Sequence, residues 1–576
     1  MSSNNNQEEF FSSIEQLGQQ MIEAGELMQK NAQRLWFDMQ RQTLMNQEIG
    51  EALALLMQQP DRLQAFQKAM IEALASINSP SEGKERDRRF NDDAWQKPGF
   101  KELKDIYLQF SEATMSLFSD ILPHDEDKSQ RILFYVRQWL SAIAPSNYLM
   151  TNPVALLETQ KTGGMNLVKG LHNYLEDMKR GKGLQNIRMT DLNAFKPGEN
   201  LAITDGKVIY QNDLMQLIQY TPTTDKVSEK PLLIVPPWIN KYYILDLKQE
   251  NSLVKWAVDQ GQTVFMISWV NPDKSHADMG FEEYVKLGVI EALDAVEQQT
   301  GQSSINTLGY CLGGTLLGTS LALLKSKNDK RVNSATFLTT LLDFEYPGEL
   351  GCFLSQEQLD ILDQQMESEG ILDGRALAMA YNMLRENDLH WSYHVNNYLL
   401  GKEPPAFDLL YWNSDATNLP AAMHSFYLKN MYLENKLKDP GGISIDGVEI
   451  DLRKIDIPCY FLSAQKDHIA LWKSTFLGAQ ILSGKNEFVL AGSGHVAGVI
   501  NPANSGKYSY FINSDTKKPA EEWLETAEQK EGSWWPHWMN WLTELGGSKI
   551  AARDNENGKL KAIEDAPGSF VLKTLD

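Results

Sequence analysis

The segment that most constrains the fold is INTLGYCLGGTLLGTSLALL, residues 305–324. An apolar run typical of a β-strand ends at Gly309, and an apolar helical run follows Gly314. Between them lies the pattern Gly-x-Cys-x-Gly, a nucleophile elbow in which cysteine takes the place of the usual serine. The helix N-terminus points at Cys311 and favours its thiolate. The segment therefore predicts a strand–elbow–helix unit with Cys311 as the nucleophile, although a small buried cysteine on a turn would fit the bare pattern.

Short β-rich runs alternate with helical stretches from about residue 201 onward. Such alternation predicts an α/β domain with a largely parallel sheet and helices on both faces, as in the α/β-hydrolase fold. A long segment of about 344–456 interrupts the alternation, and we interpret it as a cap or lid over the sheet. The runs are KVIYQ, QLIQY, PLLIVPP, TVFMISW, INTLGY, SATFLTTLL, PCYFLSA and EFVLA.

The part of the chain before the sheet is predicted to be mainly helical. Apolar residues recur at helical spacing in residues 7–77, and helical patterns resume over about 100–184. A polar, charged linker separates the two stretches. We therefore predict a helical N-terminal domain at 1–192, which packs on a partner surface, and a catalytic domain with the cap insertion at 193–576.

Composition excludes several classes of protein. The formal net charge of −22 over 576 residues repels phosphate backbones, so no nucleic-acid role is expected. The N-terminus lacks the basic and apolar regions of a signal peptide, and no apolar run reaches the ~18 residues of a membrane span. Three cysteines do not suggest a disulfide scaffold. The sequence predicts a cytoplasmic protein without a transmembrane segment, metal or prosthetic group, since no His/Cys/Asp cluster has ligand spacing.

An acid and a histidine should follow the nucleophile in that order. Asp467 lies just past the strand in IDIPCYFLSAQKDHIALW, and His495 lies in the glycine-rich loop of NEFVLAGSGHVAGVINP. Open α/β sheets place their sites beyond the carboxyl ends of strands. Asp343, which also follows a strand, is the alternative acid. His468 adjoins Asp467 and could be confused with the base. The carboxylate of a directly adjacent residue cannot easily orient an imidazole in a triad, so His468 is given a lining role.

Two backbone N–H groups are candidates for an oxyanion hole. The residue after the nucleophile, Leu312, supplies one, and the loop after the first strong apolar strand supplies the other. In IVPPWINKYYILDL we prefer Ile239 for this role over Asn240, although PPWIN also fits a plain turn with a packing tryptophan. Cys352 and Cys459 lie outside any elbow and are predicted to be structural.

Cysteine at the elbow bears on the type of reaction. A cysteine that attacks a thioester forms another thioester, so the exchange is nearly isoergic and the group-transfer potential is kept for transfer to an alcohol. This chemistry favours a transferase over a lipase. Two alternatives stay open: a thioesterase or lipase-type hydrolase on the same fold, and a non-catalytic scaffold that has kept the fold.

From about Asp87 to its end the chain resembles the class I polyhydroxyalkanoate synthases. The resemblance implies polymerisation of short (R)-3-hydroxyacyl-CoA, such as 3-hydroxybutyryl-CoA, which is a substrate and not a cofactor. It implies Cys311 as nucleophile, His495 as base and Asp467 as the carboxylate that assists it. The segments that carry it are LLIVPPWINKYYILDL, LGYCLGGT, FLTTLLDF, RENDLHWSYHVNNYLLG, AFDLLYWNSDATNLP, QKDHIALW, GSGHVAGVINP and GSWWPHW.

The resemblance also implies a setting for the enzyme. It implies a homodimer formed through the cap, in the cytoplasm at the surface of polyester granules, with contacts to that surface or to granule-associated proteins from the N-terminal domain. Trp412 matches a family tryptophan and is expected to line the substrate channel. With Tyr411 it also looks like an exposed dimer contact, although periodicity alone fits packing of the cap onto the sheet equally well. Arg385 lies in the cap motif and is expected to line the CoA route, while Glu386 stands where the family commonly has proline.

Overall fold

The computed structural model describes residues 23, 26, 32–75, 87–122, 127–183, 185–555 and 558–575. They divide into two compact units. The first contains the residues up to 192 together with 375–407, and the second contains 193–374 together with the residues from 408 onward. The stretch 375–407 lies inside the predicted cap insertion but groups with the helical unit.

The first unit is built from helices, in agreement with the helical periodicity of the sequence. Its core forms where helices bury their apolar stripes, as with Leu56, Phe118 and Val136. Most of the helical pattern predicted before residue 32 lies outside the described residues. The helices are Ala32–Met57, Pro60–Ala75, Phe100–Ile121, Asp127–Ala142, Pro153–Thr162, Met165–Arg180 and Gly374–Leu384, with π-helical turns at Asn387–Trp391 and His394–Leu399.

Long-range hydrogen bonds hold the stretch 375–407 in the first unit. Asn166 Nδ2 donates to the carbonyl of Leu399 at 2.7 Å, and the hydroxyl of Tyr398 donates to the buried carboxylate of Asp177 at 2.8 Å. A Cβ at Gly170 would clash with the carbonyl of Tyr398. The packing therefore requires glycine at this close approach of helix and backbone.

The second unit is organised around one sheet of eleven strands. We number them in chain order, and their order across the sheet is β10-β9-β8-β7-β6-β5-β3-β4-β2-β1-β11. The strands are β1 Gly206–Gln211, β2 Met215–Tyr220, β3 Leu232–Val235, β4 Val264–Trp269, β5 Ile305–Tyr310, β6 Val332–Leu338, β7 Cys459–Ala464, β8 Asn486–Ala491, β9 Ser509–Asn513, β10 Glu528–Glu531 and β11 Glu564–Asp565.

The predicted runs form strands β1 to β8. Strands β3 to β8 pair in parallel with one another, and most of their residues are buried, as expected for a sheet covered on both faces. Three further strands, β9, β10 and β11, pair antiparallel and were not predicted. The main helices of the unit are Leu253–Asp259, Glu291–Thr300, Leu312–Ser326, Gln356–Glu369, Asp408–Ser414, Ala421–Tyr427, Trp472–Ile481, Ala520–Glu525 and Trp535–Leu545.

The insertion between β6 and β7 contributes no strand to the large sheet among the residues described there. Its part in the second unit consists of short helices, a π-helical turn at Leu428–Leu433 and small two-stranded ribbons. Across the whole described part of the chain, no helix is both long and apolar enough to cross a membrane.

Candidate active site

Cys311 lies at the apex of a strained turn between β5 and the helix Leu312–Ser326. Its backbone has φ 52° and ψ −122°, and such a positive φ is unusual for a residue with a Cβ. The turn is held by the Cys311 N–H, which donates to the carbonyl of Leu338 at 2.8 Å. Cys311 is buried. A strained residue at the end of a central strand is a recurring sign of a functional site.

Three glycines make this turn sterically possible. A Cβ on Gly309 would overlap the backbone of Gly314, and a Cβ on Gly313 would overlap the carbonyl oxygen of Val235. A Cβ on Gly314 would meet the side chain of Thr340. The elbow is thus wedged between the ends of β3 and β6, where only glycine allows the backbones to approach so closely.

Asp467 and His495 follow the ends of β7 and β8 and lie side by side. Asp467 Oδ2 is 2.7 Å from His495 Nδ1. The other carboxylate oxygen accepts the backbone N–H groups of Ile469 and Ala470, each at 2.9 Å. Both side chains of the pair are buried. The carboxylate is therefore fixed from two sides and orients the imidazole, as an orienting acid does in a catalytic triad.

The electrostatic surroundings join His495 to Cys311. Burial by itself would lower the pKa of His495, but the charges of Asp467 and Cys311, together with hydrogen bonds to both side chains, hold it well above its usual value. The ring of Tyr310 stacks on the imidazole, with 5.8 Å between the ring centroids. Because the imidazolium is favoured beside a negative charge, the arrangement suits transfer of the thiol proton to His495.

The alternative acid, Asp343, has other partners. Its Oδ1 accepts the N–H of Glu345 and the side-chain amide of Asn435, each at 2.9 Å. The carboxylate beside His495 is that of Asp467. His468 is half-buried, and its carbonyl accepts the N–H of Glu349 at 3.3 Å. Its role in lining the site stays a prediction.

The two predicted oxyanion donors lie on the helix after Cys311 and on the loop after β3. Leu312 is the first residue of its helix, where N–H groups have no intrahelical acceptor. Ile239 lies in the loop after β3, and the start of this loop touches Gly313. Asn240, the other candidate in this loop, forms a β-bridge with Ala416. The donor roles of Leu312 and Ile239 stay predictions.

Trp412 and Arg385, both predicted to line the substrate channel, lie in different surroundings. Trp412 is not the exposed aromatic expected from the sequence: it is buried, and its indole N–H donates to the carbonyl of Lys241 at 2.7 Å. Tyr411 packs on Phe195, with 5.5 Å between the ring centroids. Arg385 belongs to the helical unit and pairs with Asp388 at 2.9 Å.

A cluster of aromatic side chains near the reacting groups was missed in the sequence. Tyr432 lies 5.1 Å from Phe344 and 5.4 Å from Tyr427, measured between ring centroids. Tyr427 in turn packs on Trp238 at 5.5 Å. Burial, with smaller effects from the charges of Cys311 and Asp467, raises the pKa of Tyr432. The signal was the aromatic density of FYLKNMYL, residues 426–433.

His424, one turn before Tyr427, yields a testable pH dependence. It is fully buried, and burial lowers its pKa to about 4. Below about pH 6.5 the unfolded chain binds a proton at this histidine, whereas the folded protein cannot until pH reaches about 4. The free energy of unfolding should therefore fall by about 3 kcal/mol as the pH is lowered from 6.5 to 4.

We expect His424→Leu to reduce the fall in thermal midpoint between pH 6.5 and 4.5, as measured by calorimetry. Met423→Leu changes the neighbouring buried position without removing a titratable group and is the control. A wild-type pH dependence in His424→Leu would show that His424 does not titrate as its burial requires.

The two remaining cysteines lie outside the elbow. Cys459 begins β7, and burial raises the pKa of its thiol beyond the physiological range. Cys352 lies in a short 3₁₀ turn of the insertion.

We expect Cys352→Ala and Cys459→Ala to retain most activity, because neither is at the elbow. Turnover is measured by the release of free thiol. Loss of turnover in a normally folded variant would identify a second essential cysteine.

Within the described ranges no three His, Cys, Asp or Glu side chains gather as a possible metal-binding group.

Comparison with known proteins shows similarity across both units. Residues 86–257 match the family described as poly-beta-hydroxybutyrate polymerase (PhaC) N-terminus, and residues 230–502 match the alpha/beta hydrolase fold. The latter match confirms the predicted fold class. The chain is 46% identical over 495 residues to the poly(3-hydroxyalkanoate) polymerase subunit PhaC of Rhizobium etli, covering 86% of this chain and 78% of that protein.

Two further relatives extend the comparison. The poly(3-hydroxyalkanoate) polymerase of Methylorubrum extorquens is 46% identical, with 84% of this chain and 80% of the relative covered. The poly(3-hydroxyalkanoate) polymerase subunit PhaC of Cupriavidus necator is 42% identical, with 87% and 86% covered. In these three comparisons the matched stretch covers between 78% and 87% of each chain.

Proposed function

Because the chain belongs to the poly(3-hydroxyalkanoate) polymerase family, we propose that it joins (R)-3-hydroxyacyl units from CoA thioesters into polyester through a covalent intermediate on Cys311. The observation that carries this proposal is the buried Asp467–His495 pair, 2.7 Å apart, beside a cysteine at a nucleophile elbow. The three residues are assigned as a Cys-His-Asp triad.

The first half-reaction loads the enzyme. His495 takes the Cys311 proton, and the thiolate attacks the carbonyl carbon of the thioester. The oxyanion that forms is held by the N–H groups of Leu312 and Ile239. When the carbon–sulfur bond to CoA breaks, His495 returns the proton to the leaving thiolate. The products are free CoA and an acyl thioester on Cys311.

The second half-reaction extends the polyester. His495, oriented by Asp467, takes the proton of the 3-hydroxyl group of the next unit. The hydroxyl oxygen attacks the acyl group on Cys311, an ester bond forms, and the Cys311 thiolate leaves and regains the proton. The thioester on cysteine conserves the group-transfer potential that this step uses.

The aromatic cluster and the buried elbow favour a transferase over the hydrolase alternative, since an apolar site disfavours water as acceptor. A non-catalytic scaffold would have no use for the aligned Cys311, His495 and Asp467. We propose no resident cofactor, a short acyl substrate such as 3-hydroxybutyryl-CoA, and a cytoplasmic location at polyester granules. The helical part, residues 1–192, is proposed to contact the granule or its proteins, and residues 193–576 to form the catalytic domain.

The direct test supplies purified protein with (R)-3-hydroxybutyryl-CoA and follows free thiol and insoluble product together. A polymerase releases free thiol and forms insoluble product at matching rates. A thioesterase gives free thiol with soluble 3-hydroxybutyrate, and a scaffold gives neither. The same assay with the (S) enantiomer is the control for specific recognition of the 3-hydroxyl group.

A homodimer is proposed as the active state. The proposal depends on the family resemblance, because Trp412, which looked like a dimer contact in the sequence, is buried. If pairing completes the enzyme, specific activity should rise with protein concentration as monomers associate. Initial rates measured beside sedimentation of the same samples check this. Full specific activity in a sample that sediments as monomer would contradict it.

A further inference from the structure

The loop after β3, residues 236–241, is held in place by a buried ion pair that the reaction scheme does not use. Lys241 Nζ lies 2.7 Å from Asp415 Oδ1, and the two side chains are only 5% and 9% exposed. The other oxygen of Asp415 accepts the hydroxyl of Tyr243 at 2.8 Å. Burial and the negative charge of Asp415 raise the pKa of Tyr243, which keeps that hydroxyl protonated as a donor.

The backbone of the same loop is pinned at both ends by indole groups. The N–H of Trp269 donates to the carbonyl of Pro236 at 2.9 Å. The N–H of Trp412 donates to the carbonyl of Lys241 at 2.7 Å. Asn240 adds the β-bridge to Ala416. The loop therefore has fixed ends, and the segment 412–416 provides most of the attachment at its second end.

The position of this loop matters because it abuts the elbow. The carbonyl of Val235 and the backbone of Pro236 occupy the space where a Cβ of Gly313 would lie. Ile239 follows within the same loop, between the two pinned ends. A small displacement of the loop would move the Ile239 N–H relative to Cys311. Oxyanion stabilisation is sensitive to such displacements, because the donor must be placed before the charge develops.

We propose that Asp415 is a positioning residue: through Lys241 it fixes the loop 236–241 and so places the Ile239 N–H for the oxyanion. This inference depends on the proposed function. A buried carboxylate suits the task, because an ion pair with one well-defined partner fixes a single arrangement of the loop. Loss of the carboxylate leaves the Lys241 charge buried without its counter-ion, and the loop must move to let it reach water.

The test compares two reactions of Cys311 in Asp415→Asn. Loading by (R)-3-hydroxybutyryl-CoA passes through an oxyanion, whereas alkylation by iodoacetamide does not. We expect kcat and the single-turnover release of CoA to fall about 10- to 100-fold, with KM within about twofold of wild type. The rate of alkylation should stay at the wild-type value.

Asp408→Asn is the matched control. Asp408 is a buried carboxylate at the start of the short helix Asp408–Ser414, which ends just before Asp415, and it pairs with Lys248 at 3.0 Å, beyond the loop. This variant should keep wild-type kcat even if its thermal midpoint falls as much as that of Asp415→Asn. An equal loss of kcat in both variants would overturn the proposal, since it would mean that any weakening of this helix affects the site.

Tyr243→Phe provides a milder test if Asp415→Asn does not fold. It keeps the ion pair but removes one hydrogen bond to Asp415, and kcat should fall a few-fold while alkylation is unchanged. Wild-type kcat in this variant and in any folded Asp415→Asn would overturn the proposal. If the wild-type enzyme itself releases no CoA, the proposed function fails first, so the two failures are distinguishable.

Discussion

Cys311→Ala is expected to abolish CoA release from (R)-3-hydroxyacyl-CoA while leaving the fold intact. Alanine has the same Cβ as cysteine, so the positive φ at the elbow costs no more than before. Removal of one buried sulfur should destabilise the protein by about 1 kcal/mol, as for a lost methyl group. Without the sulfur neither the thioester exchange nor the ester-forming step has a nucleophile.

The measurement is CoA release over many hours, with circular dichroism and thermal midpoint as checks on folding. Cys311→Ser is the companion variant, because it keeps an oxygen nucleophile at the same elbow. We expect the serine variant to be loaded slowly and to elongate poorly, since its acyl intermediate is an oxoester. Substantial turnover in Cys311→Ala would remove Cys311 from the mechanism.

His495→Gln and Asp467→Asn are expected to fail at different steps. Glutamine removes the base of both half-reactions, so loading should slow by about 10² or more. Asparagine keeps the thiol and imidazole in place but removes the carboxylate that raises the pKa of His495. Loading should therefore partly survive in Asp467→Asn, while elongation suffers more. Single-turnover CoA release measures the first step, and product length measures the second.

Asp343→Asn distinguishes the two acids that the sequence offered. Its carboxylate caps a loop and binds Asn435, so this variant should load and elongate at near wild-type rates. An elongation defect in Asp343→Asn, together with normal elongation by Asp467→Asn, would mean that Asp343 is the acid. Equal loss of both steps in both triad variants would remove the case for separate roles.

The central strands could be predicted because a parallel sheet buried on both faces needs continuous apolar runs. Those runs also placed the ends of β5, β7 and β8, and the loops after such ends meet at one edge of a sheet. The proximity of Asp467 and His495 thus followed from topology. The sequence favoured Asp467 over Asp343 because the strand before Asp467 immediately precedes the histidine strand, and in the structure Asp467 lies beside His495.

The elements that were missed lack a local signal. Strand β10 reads EQKE and is largely exposed, so it shows none of the apolar pattern of a buried strand. Trp412 lies on a helix of only seven residues, too short for periodicity to show which face is buried. The grouping of 375–407 with the helical unit depends on hydrogen bonds between residues more than 200 positions apart, such as Asn166 and Leu399. No local pattern encodes such partners.

The pairing of β1 with β11 has a consequence for how the chain is made. Lys207 faces Asp565 across this edge, 358 positions later in the sequence. During translation the edge of β1 must wait until β11 has emerged, and an unpaired edge can pair with another chain. We therefore infer that a ribosome-bound chain stalled before residue 564 carries an open β-edge at β1.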